Sequence, residues 1–201
     1  MLEAYAAENN VVLGVSAETP HALFVVDLVE CRKHDGSILR YPYLRVVFPG
    51  QLQGAVNVVV LATIANSALG NPGDLILVEQ ERHALGTVEL ELPRGFGEPG
   101  VSGEQNAFRE LREETGYVGE EAHFLGMTCP DNGLTGTLVA FYHVPVVRLE
   151  APQQEISEVI HGVSRLSVSH AWEKIRRGEL RDGFTLQALA LYEKFAHLGG
   201  S

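Results

Sequence analysis

The sequence predicts a mixed α/β (α+β) fold in which a mixed β-sheet is sandwiched between helices, with a small β-rich appendage in front. Three observations favour this class. Apolar stretches of strand length recur along the chain, one long amphipathic helix is interposed among them, and two helical stretches close the sequence. With 201 residues, of which 45% are hydrophobic, the chain can bury its own core. We therefore expect one main domain plus the appendage.

The appendage is assigned to residues 1–50. Its first 20 residues show no clear period, whereas Ala22–Val29 and Tyr41–Phe48 have the composition of strands, with a turn signal at Asp35-Gly36 between them. Two strands are too few to hold a core alone. We expect this segment to pack on the main domain or on a second subunit.

The main domain is assigned to residues 51–201, after a break at Pro49-Gly50. Its expected strands are Val56–Thr63, Leu75–Glu79, Val88–Leu92, Ala122–Met127 and Leu138–Val147, and its closing helices are Ser169–Arg177 and Thr185–His197, each begun by a residue able to cap it. Val88–Leu92 alternates, so Glu89 and Glu91 share the side opposite its apolar residues. Pro145 predicts an edge or a bulge.

Composition narrows the classes of partner. A formal net charge of −11 argues against nucleic acid, because binding to a phosphate backbone needs a basic surface. An acidic protein can still bind a small phosphorylated ligand where metal ions supply positive charge. Two cysteines and eight scattered histidines form no disulfide framework and no zinc spacing. The N-terminus lacks the pattern of a signal peptide, and no apolar run is long enough for a bilayer, so we expect a cytoplasmic protein without a membrane partner.

The stretch Gly95–Tyr117 carries the main site signal. A loop rich in glycine leads into a helix on which Glu110, Glu113 and Glu114 share one face, because neighbours on a helix lie three and four residues apart. A solvated amphipathic helix with ion pairs is the plain alternative. Three carboxylates on one face repel one another unless a cation neutralises them. A hard cation that prefers oxygen ligands suits them, Mg²⁺ first and Mn²⁺ as the alternative.

The glycines also match G-x-G-x-x-G, the fingerprint of dinucleotide-binding folds. That interpretation is disfavoured, because its strand should be a buried apolar run and this one carries Glu89 and Glu91. The helix that follows is also acidic where it would meet a pyrophosphate.

A longer pattern fits without gaps: G-x5-E-x7-R-E-U-x-E-E-x-G-U, where U is a bulky apolar residue. Its matching positions are Gly95, Arg109, Glu110, Leu111, Glu113, Glu114, Gly116 and Tyr117. This stretch resembles the Nudix box of the Nudix hydrolases. Ser102 and Gln105 are spaced for a capping box, and Gly116 for the left-handed residue that ends a helix.

The resemblance implies the site roles. In the family, the residues matching Glu110 and Glu114 bind the metals most directly, and the one matching Glu113 assists. The backbone carbonyl at Arg94 matches a further metal ligand. The residue matching Arg109 is mainly structural, and a pair between Arg109 and Glu113 would fix the acidic face.

One position departs from the family pattern, because its first glutamate falls on Val101. In the family that glutamate supports the site, often by pairing with the arginine that matches Arg109. Valine can neither bind a metal nor form that pair. Glu98 or Glu104 are the candidates to take its place.

The segments 78–82 and 89–95 resemble the ADP-ribose pyrophosphatase branch of the family. There the arginine matching Arg82 contacts the substrate's phosphates, and the acid matching Glu91 lies close to the substrate. The alternatives are a surface arginine and a solvated glutamate. A glutamate of the loop before the closing helices acts as the base, and Glu155 and Glu158 both remain candidates. The N-terminal strands of that branch exchange between subunits, which implies a homodimer.

These resemblances imply Mg²⁺-dependent hydrolysis of a nucleoside diphosphate linked to another group, with ADP-ribose or a related ADP-sugar as the first candidate and AMP and a sugar phosphate as products. The departure at Val101 motivates an alternative, a Nudix-fold sensor that binds nucleotide sugars without turning them over. A decapping or housecleaning enzyme acting on other nucleotides is a third interpretation. The acidic charge disfavours long RNA for it.

Overall fold

The computed structural model describes residues 22–151 and 159–198. The described strands are β1 Leu23–Arg32, β2 Ile38–Val47, β3 Asn57–Ile64, β4 Leu75–Arg82, β5 Thr87–Glu91, β6 Arg94–Gly95, β7 Tyr117–Gly119, β8 His123–Thr128, β9 Val139–Leu149 and β10 Ile160–Leu166. The described helices are α1 Pro49–Leu52, α2 Gly103–Thr115, α3 Val168–Arg176 and α4 Gly183–Leu198. Among them, none has the length and apolar character needed to cross a membrane.

Strands β3 to β10 form one mixed sheet. Its main path runs β10-β4-β3-β9-β7, while β5 pairs with β4, β6 with β3 and β8 with β9. The pair β3–β9 is parallel, and the other pairs are antiparallel. The predicted mixed sheet is therefore confirmed. Because β6 pairs with the start of β3, the backbone of Arg94 and Gly95 is held against the centre of the sheet.

Strand β3 separates two apolar layers, and all eight of its residues are buried. Val58, Val60 and Ala62 belong to the layer that packs under α2, whereas Val59 and Leu61 belong to the layer that packs under α3 and α4. A strand covered on both faces reads as a continuous apolar run. Full burial of each such side chain stabilises the fold by about 1.5–3 kcal/mol. The result is the predicted sandwich of helix, sheet and helices.

Strands β1 and β2 form a separate antiparallel hairpin with an unbroken register from Leu23↔Val47 to Arg32↔Ile38. It reaches the larger sheet's loops near residue 134, where the Val46 amide donates to the Leu134 carbonyl at 2.9 Å. The Tyr43 hydroxyl donates to the Gly133 carbonyl in the same loop. The hairpin therefore braces the loop between β8 and β9.

The predicted strands and the interposed helix are confirmed to within a few residues, but the starts of the closing helices are corrected. The residues that cap them are Ser167, which accepts from the His170 amide, and Asp182, which accepts from the Thr185 amide. Strands β6, β7 and β10 and the short helix α1 were not predicted. Pro145 lies in β9 between the residues paired with β7 and those paired with β8, so this strand is interior, with a local gap in pairing on one side.

Candidate active site

A cavity of about 650 Å³ opens beside the glycine loop. Its walls come from β3, β4, the loop after β6, helix α2, the loop between β8 and β9 and the start of α4. The charged side chains in its lining are Arg82, Arg94, Glu98, Arg109, Glu110 and Glu113, and the aromatic ones are Phe48, Phe96 and Phe184. Segments far apart in the sequence thus meet in one concave site.

Helix α2 presents the acidic side of this cavity, and both of its ends are fixed. The Ser102 hydroxyl accepts from the Gln105 amide at 3.1 Å, and the Gln105 side chain accepts from the Ser102 amide at 3.1 Å. Gly116 ends the helix with φ of 75°, in the left-handed region. The predicted capping box and C-terminal glycine are confirmed. Together they fix the rotation of the helix and so the direction of its glutamates.

Arg109 organises the acidic face. It donates to Glu113 at 2.9 Å, as predicted, to Glu110 at 2.6 Å and to the Phe96 carbonyl at 2.9 Å. It also donates to the Asn106 side chain at 2.5 and 3.2 Å. In the described part of the chain, neither candidate substitute for Val101 is among its hydrogen-bonded partners. Asn106 and the loop carbonyl supply contacts in their place.

The glycine loop is shaped by close approach rather than by dinucleotide binding. A Cβ at Gly95 would stand 2.1 Å from the Glu110 carboxyl carbon, so only glycine leaves room for that carboxylate. A Cβ at Gly97 would stand 2.4 Å from the Val56 carbonyl oxygen. The Gly97 amide donates to the Asn57 side chain at 3.0 Å. The loop therefore fits tightly between β3 and α2.

The opposite side of the cavity carries Arg82, which Glu91 grips with both oxygens. Arg82 Nε donates to Glu91 at 2.8 and 3.1 Å, and Nη2 donates at 2.5 Å. Burial opposes the charge of Arg82, but hydrogen bonds and charge from Glu91, with added charge from Asp182 and Glu114, raise its pKa. Glu91 is only 2% exposed. The solvated alternative for this glutamate is therefore wrong, since it lies on a buried face of β5.

Three residues at this side were not predicted: Asp182, Phe184 and the side chain of Arg94. Arg94 forms an ion pair with Glu91 at 2.6 Å and donates to Asp182 at 2.7 Å, and its guanidinium lies 4.5 Å from the Phe184 ring centroid. One signal for Asp182 was available, because Asp182 and Thr185 have the spacing of a helix cap. No sequence pattern pairs residues 94 and 182.

Glu110 and Glu114 lie one turn apart on α2, 6% and 1% exposed. Glu110 lines the cavity and Glu114 does not, but the charge of Glu114 contributes to raising the pKa of Arg82. Within the described residues, no three acidic, His or Cys side chains already converge as a metal-binding group. Two buried carboxylates, of which Glu110 lies against Gly95, are nevertheless hard oxygen donors, and in kind they fit Mg²⁺ or Mn²⁺. Glu155 and Glu158 lie outside the described residues.

The histidines of the described residues lie away from the cavity lining. His143 is buried on β9, where its Nε2 is 2.8 Å from the Thr63 hydroxyl and its ring stacks on His123. Burial, with a smaller contribution from His123, lowers the pKa of His143 to about 4. It is a neutral core histidine, as the scattered spacing indicated.

Residues 55–184 match the model of the NUDIX domain family, and this range contains the glycine loop, helix α2 and the cavity arginines. The chain belongs to the Nudix family. The membership predicted from the stretch Gly95–Tyr117 is therefore confirmed.

The relatives of this Nudix chain include enzymes named for ADP compounds. Over 61 residues it is 51% identical to a mouse ADP-sugar pyrophosphatase, a match that covers 30% of this chain and 28% of that protein. Over 93 residues it is 32% identical to an ADP-ribose pyrophosphatase of Saccharomyces cerevisiae, covering 46% and 40%. The chain thus spans less than half the length of these relatives. These names agree with the predicted branch.

A solved structure described as an ADP compounds hydrolase superposes on this chain with a TM-score of 0.73 and covers 92% of both chains. The two sequences are 19% identical, so the likeness concerns the fold. It supports the predicted Nudix-type sandwich.

Proposed function

We propose that this Nudix protein is a Mg²⁺-dependent hydrolase that cleaves the diphosphate of ADP-ribose or a related ADP-sugar, giving AMP and a sugar phosphate. One observation carries the proposal. A single cavity presents a carboxylate set on α2 and a fixed arginine, Arg82, on β4. In a metal-bound diphosphate, the positive metal ion matches the carboxylates and the negative phosphate oxygens match Arg82. The names of the relatives supply the nucleotide class.

In this proposal the metal site is built from Glu110 and Glu114, with Glu113 assisting and the Arg94 carbonyl as a backbone ligand. Bound Mg²⁺ supplies neutralisation of the diphosphate charge and a more acidic water. Glu113 and Arg109 keep the acidic face aligned through their 2.9 Å bond.

The chain's own groups then divide the work of phosphoryl transfer. Arg82 holds phosphate oxygens and stabilises the charge that develops on them. The water oxygen bonds to one phosphorus as the bond from that phosphorus to the bridging oxygen breaks. Glu155 or Glu158 accepts the proton that the water loses. The leaving phosphate keeps the bridging oxygen.

A substrate panel tests this proposal. Purified protein is incubated with Mg²⁺ and ADP-ribose, ADP-sugars or other nucleoside diphosphate sugars, and AMP or its counterpart is measured by chromatography. We expect ADP-ribose or an ADP-sugar to give the fastest release of AMP, and Glu114→Gln to abolish most of it. A rate that Glu114→Gln leaves unchanged would remove the metal assignment.

A second candidate function is a nucleotide-sugar sensor that binds without turnover, and Val101 favours it. Its side chain cannot supply the carboxylate that family members carry there. Calorimetric binding of ADP-ribose with no AMP release across the panel would establish the sensor and end the hydrolase proposal. Release of AMP by the wild-type protein, lost in Glu114→Gln, would exclude the sensor.

We also propose that residues 1–50 form a dimerisation appendage in a cytoplasmic homodimer. The hairpin exposes apolar side chains, with Leu28 50% and Leu44 52% accessible. Analytical ultracentrifugation tests the assembly. We expect the wild type to be a dimer and the double variant Leu28→Asp/Leu44→Asp to be a folded monomer. A wild-type monomer at micromolar concentration would contradict the proposal.

A further inference from the structure

Four side chains of alternating charge connect the cavity to the start of helix α4. Arg82 is bound by Glu91, Glu91 also forms an ion pair with Arg94 at 2.6 Å, and Arg94 donates to Asp182 at 2.7 Å. They come from β4, β5, β6 and the residue before α4. We call Arg82, Glu91, Arg94 and Asp182 the charge chain. It links residues that are 100 positions apart.

Arg94 serves this chain as a bridge. Its Nη2 forms an ion pair with Glu91, its Nη1 donates to Asp182, and the face of its guanidinium covers Phe184 at 4.5 Å. Both terminal nitrogens are thus engaged by carboxylates. The Arg94 side chain holds the two acids at a fixed separation, and its role differs from that of its backbone carbonyl.

Arg82 is the end of the charge chain that faces the cavity. Glu91 takes the Nε and Nη2 edge of its guanidinium. Among the contacts of the described residues, Nη1 accounts for none, so this end remains for phosphate oxygens. A planar fork binds a phosphate well only when its plane is fixed. The orientation of Glu91 therefore sets the orientation of the phosphate-binding end.

Asp182 is the fixed end of the charge chain. One of its oxygens binds Arg94, and the other accepts from the Thr185 amide at 2.9 Å and from the Thr185 hydroxyl at 2.7 Å. Thr185 is fully buried and its hydroxyl accepts from the Leu92 amide at 3.0 Å. The carboxylate therefore cannot rotate away without breaking a helix cap.

We infer that Asp182 is a positioning residue for phosphate binding: acting through Arg94 and Glu91, it fixes the plane of the Arg82 guanidinium. The inference deepens the proposed function and rests on it for the identity of the ligand. Asp182 thus orients a guanidinium, that of Arg82, from a position 100 residues away in the sequence.

Arg181, the residue before Asp182, provides a matched control. Arg181 donates to Glu89 at 2.5 and 3.2 Å, joining the same loop to the same strand β5, two residues before Glu91. It makes no contact with the charge chain among the described residues. Arg181→Met removes an ion pair of Glu89, which keeps its hydrogen bond from Thr87, and so perturbs the same contact between loop and strand without changing a member of the charge chain. An effect of general loosening would appear in both variants.

The first test needs no ligand. The NMR signal of the Arg82 Nε–H group is assigned by its loss in Arg82→Lys, and its exchange with water is measured in the free protein. We expect slow exchange in the wild type and in Arg181→Met, and about tenfold faster exchange in Asp182→Asn and in Arg94→Met, because a freed guanidinium loses its hydrogen bonds to Glu91. Equal exchange in all four proteins would overturn the inference.

The second test uses the proposed reaction. Asp182→Asn should raise the KM for ADP-ribose about tenfold with kcat within about twofold, and Arg181→Met should leave KM unchanged. In an Arg82→Ala background, Asp182→Asn should have no further effect on KM, since the two act as one unit. Additive effects, or an equal rise in Arg181→Met, would overturn the inference. A wild-type protein that releases no AMP would contradict the proposed function, while the exchange measurement would still decide the role of Asp182.

Discussion

The two charged sides of the cavity are built in different ways. On the acidic side, Arg109 binds Asn106, Glu110 and Glu113, which are its neighbours within two turns of α2. On the arginine side, the charge chain joins side chains of four segments between residues 82 and 182. The first set is fixed by a single helix, and the second exists only once the sheet and α4 are in place.

This difference separates two sources of precision. A helix that is capped at both ends holds its glutamates at fixed angles, so the acidic side depends on local interactions. The arginine side depends on strand register and on the docking of α4, because Glu91 and Asp182 meet Arg94 only through tertiary structure. Substitutions should therefore affect the two sides through different measurable quantities.

The largest effect is expected on the acidic side. Glu110→Gln or Glu114→Gln removes the charge of a proposed metal ligand and should lower kcat for AMP release by about 10²–10³-fold, with the melting temperature nearly unchanged. Glu104→Gln, an exposed change in the first turn of the same helix, is the matched control. If all three variants retained wild-type rates, α2 would have no role in the chemistry.

A somewhat smaller loss should follow from Gly95→Ala. Its methyl group would overlap the Glu110 carboxylate, which a Cβ would approach to 2.1 Å. Displacing a catalytic group by about 1 Å costs about 10²-fold in rate. Gly136→Ala, at a position with no neighbouring atom within 4 Å of the added carbon, should retain full activity. Equal rates in the two variants would show that this contact does not matter.

His143 is a buried ionisable group outside both sides of the cavity, and it gives a reference for how burial of such a group affects stability. The pKa of His143 lies at about 4 in the folded protein, against 6.5 for a free histidine. Between these values the unfolded chain binds the extra proton, so the free energy of unfolding should fall as pH drops from 6.5 towards 4, by about 1.4 kcal/mol for each pKa unit. Urea unfolding of the wild type and of His143→Gln at several pH values measures this. A wild-type slope that His143→Gln leaves unchanged would contradict the assignment.

The smallest effects compare Thr185, whose hydroxyl is hydrogen-bonded on the arginine side, with the helix cap Ser102 on the acidic side. Thr185→Val leaves the Leu92 amide without its 3.0 Å acceptor at a fully buried site and should cost about 1–3 kcal/mol. Ser102→Ala removes a cap at an exposed site and should cost about 1 kcal/mol. Urea unfolding at neutral pH compares them. A larger loss for Ser102→Ala would mean that the acidic side depends on its cap more than the arginine side depends on tertiary contacts.

Sequence reasoning succeeded where the determinants are local. The spacing from Gly95 to Tyr117 predicted the family, the capping box, the glycine that ends α2 and the pair between Arg109 and Glu113. Strand composition likewise predicted the mixed sheet, because a strand buried on both faces, such as β3, is a continuous apolar run.

It failed where the determinants are distant. The three residues of β7 are too few to show a period, and β10 alternates between half-buried and exposed residues, so that none of them is fully buried. The solvated alternative for Glu91 stayed open because alternation alone does not say which side of a strand is covered, and residues from elsewhere, Arg82 and Arg94 among them, cover this one. The role of Asp182 depends on a contact with Arg94 across 88 positions, which no local pattern carries.

In the proposed function, one cavity binds the metal on its acidic side and the diphosphate on its arginine side. A crystal structure with Mg²⁺ and an ADP-ribose analogue whose bridging oxygen is replaced by methylene tests it most directly. We expect metal density at Glu110 and Glu114, with the analogue's phosphates against Arg82. An analogue bound in this crystal away from Arg82, or metal bound away from α2, would contradict it.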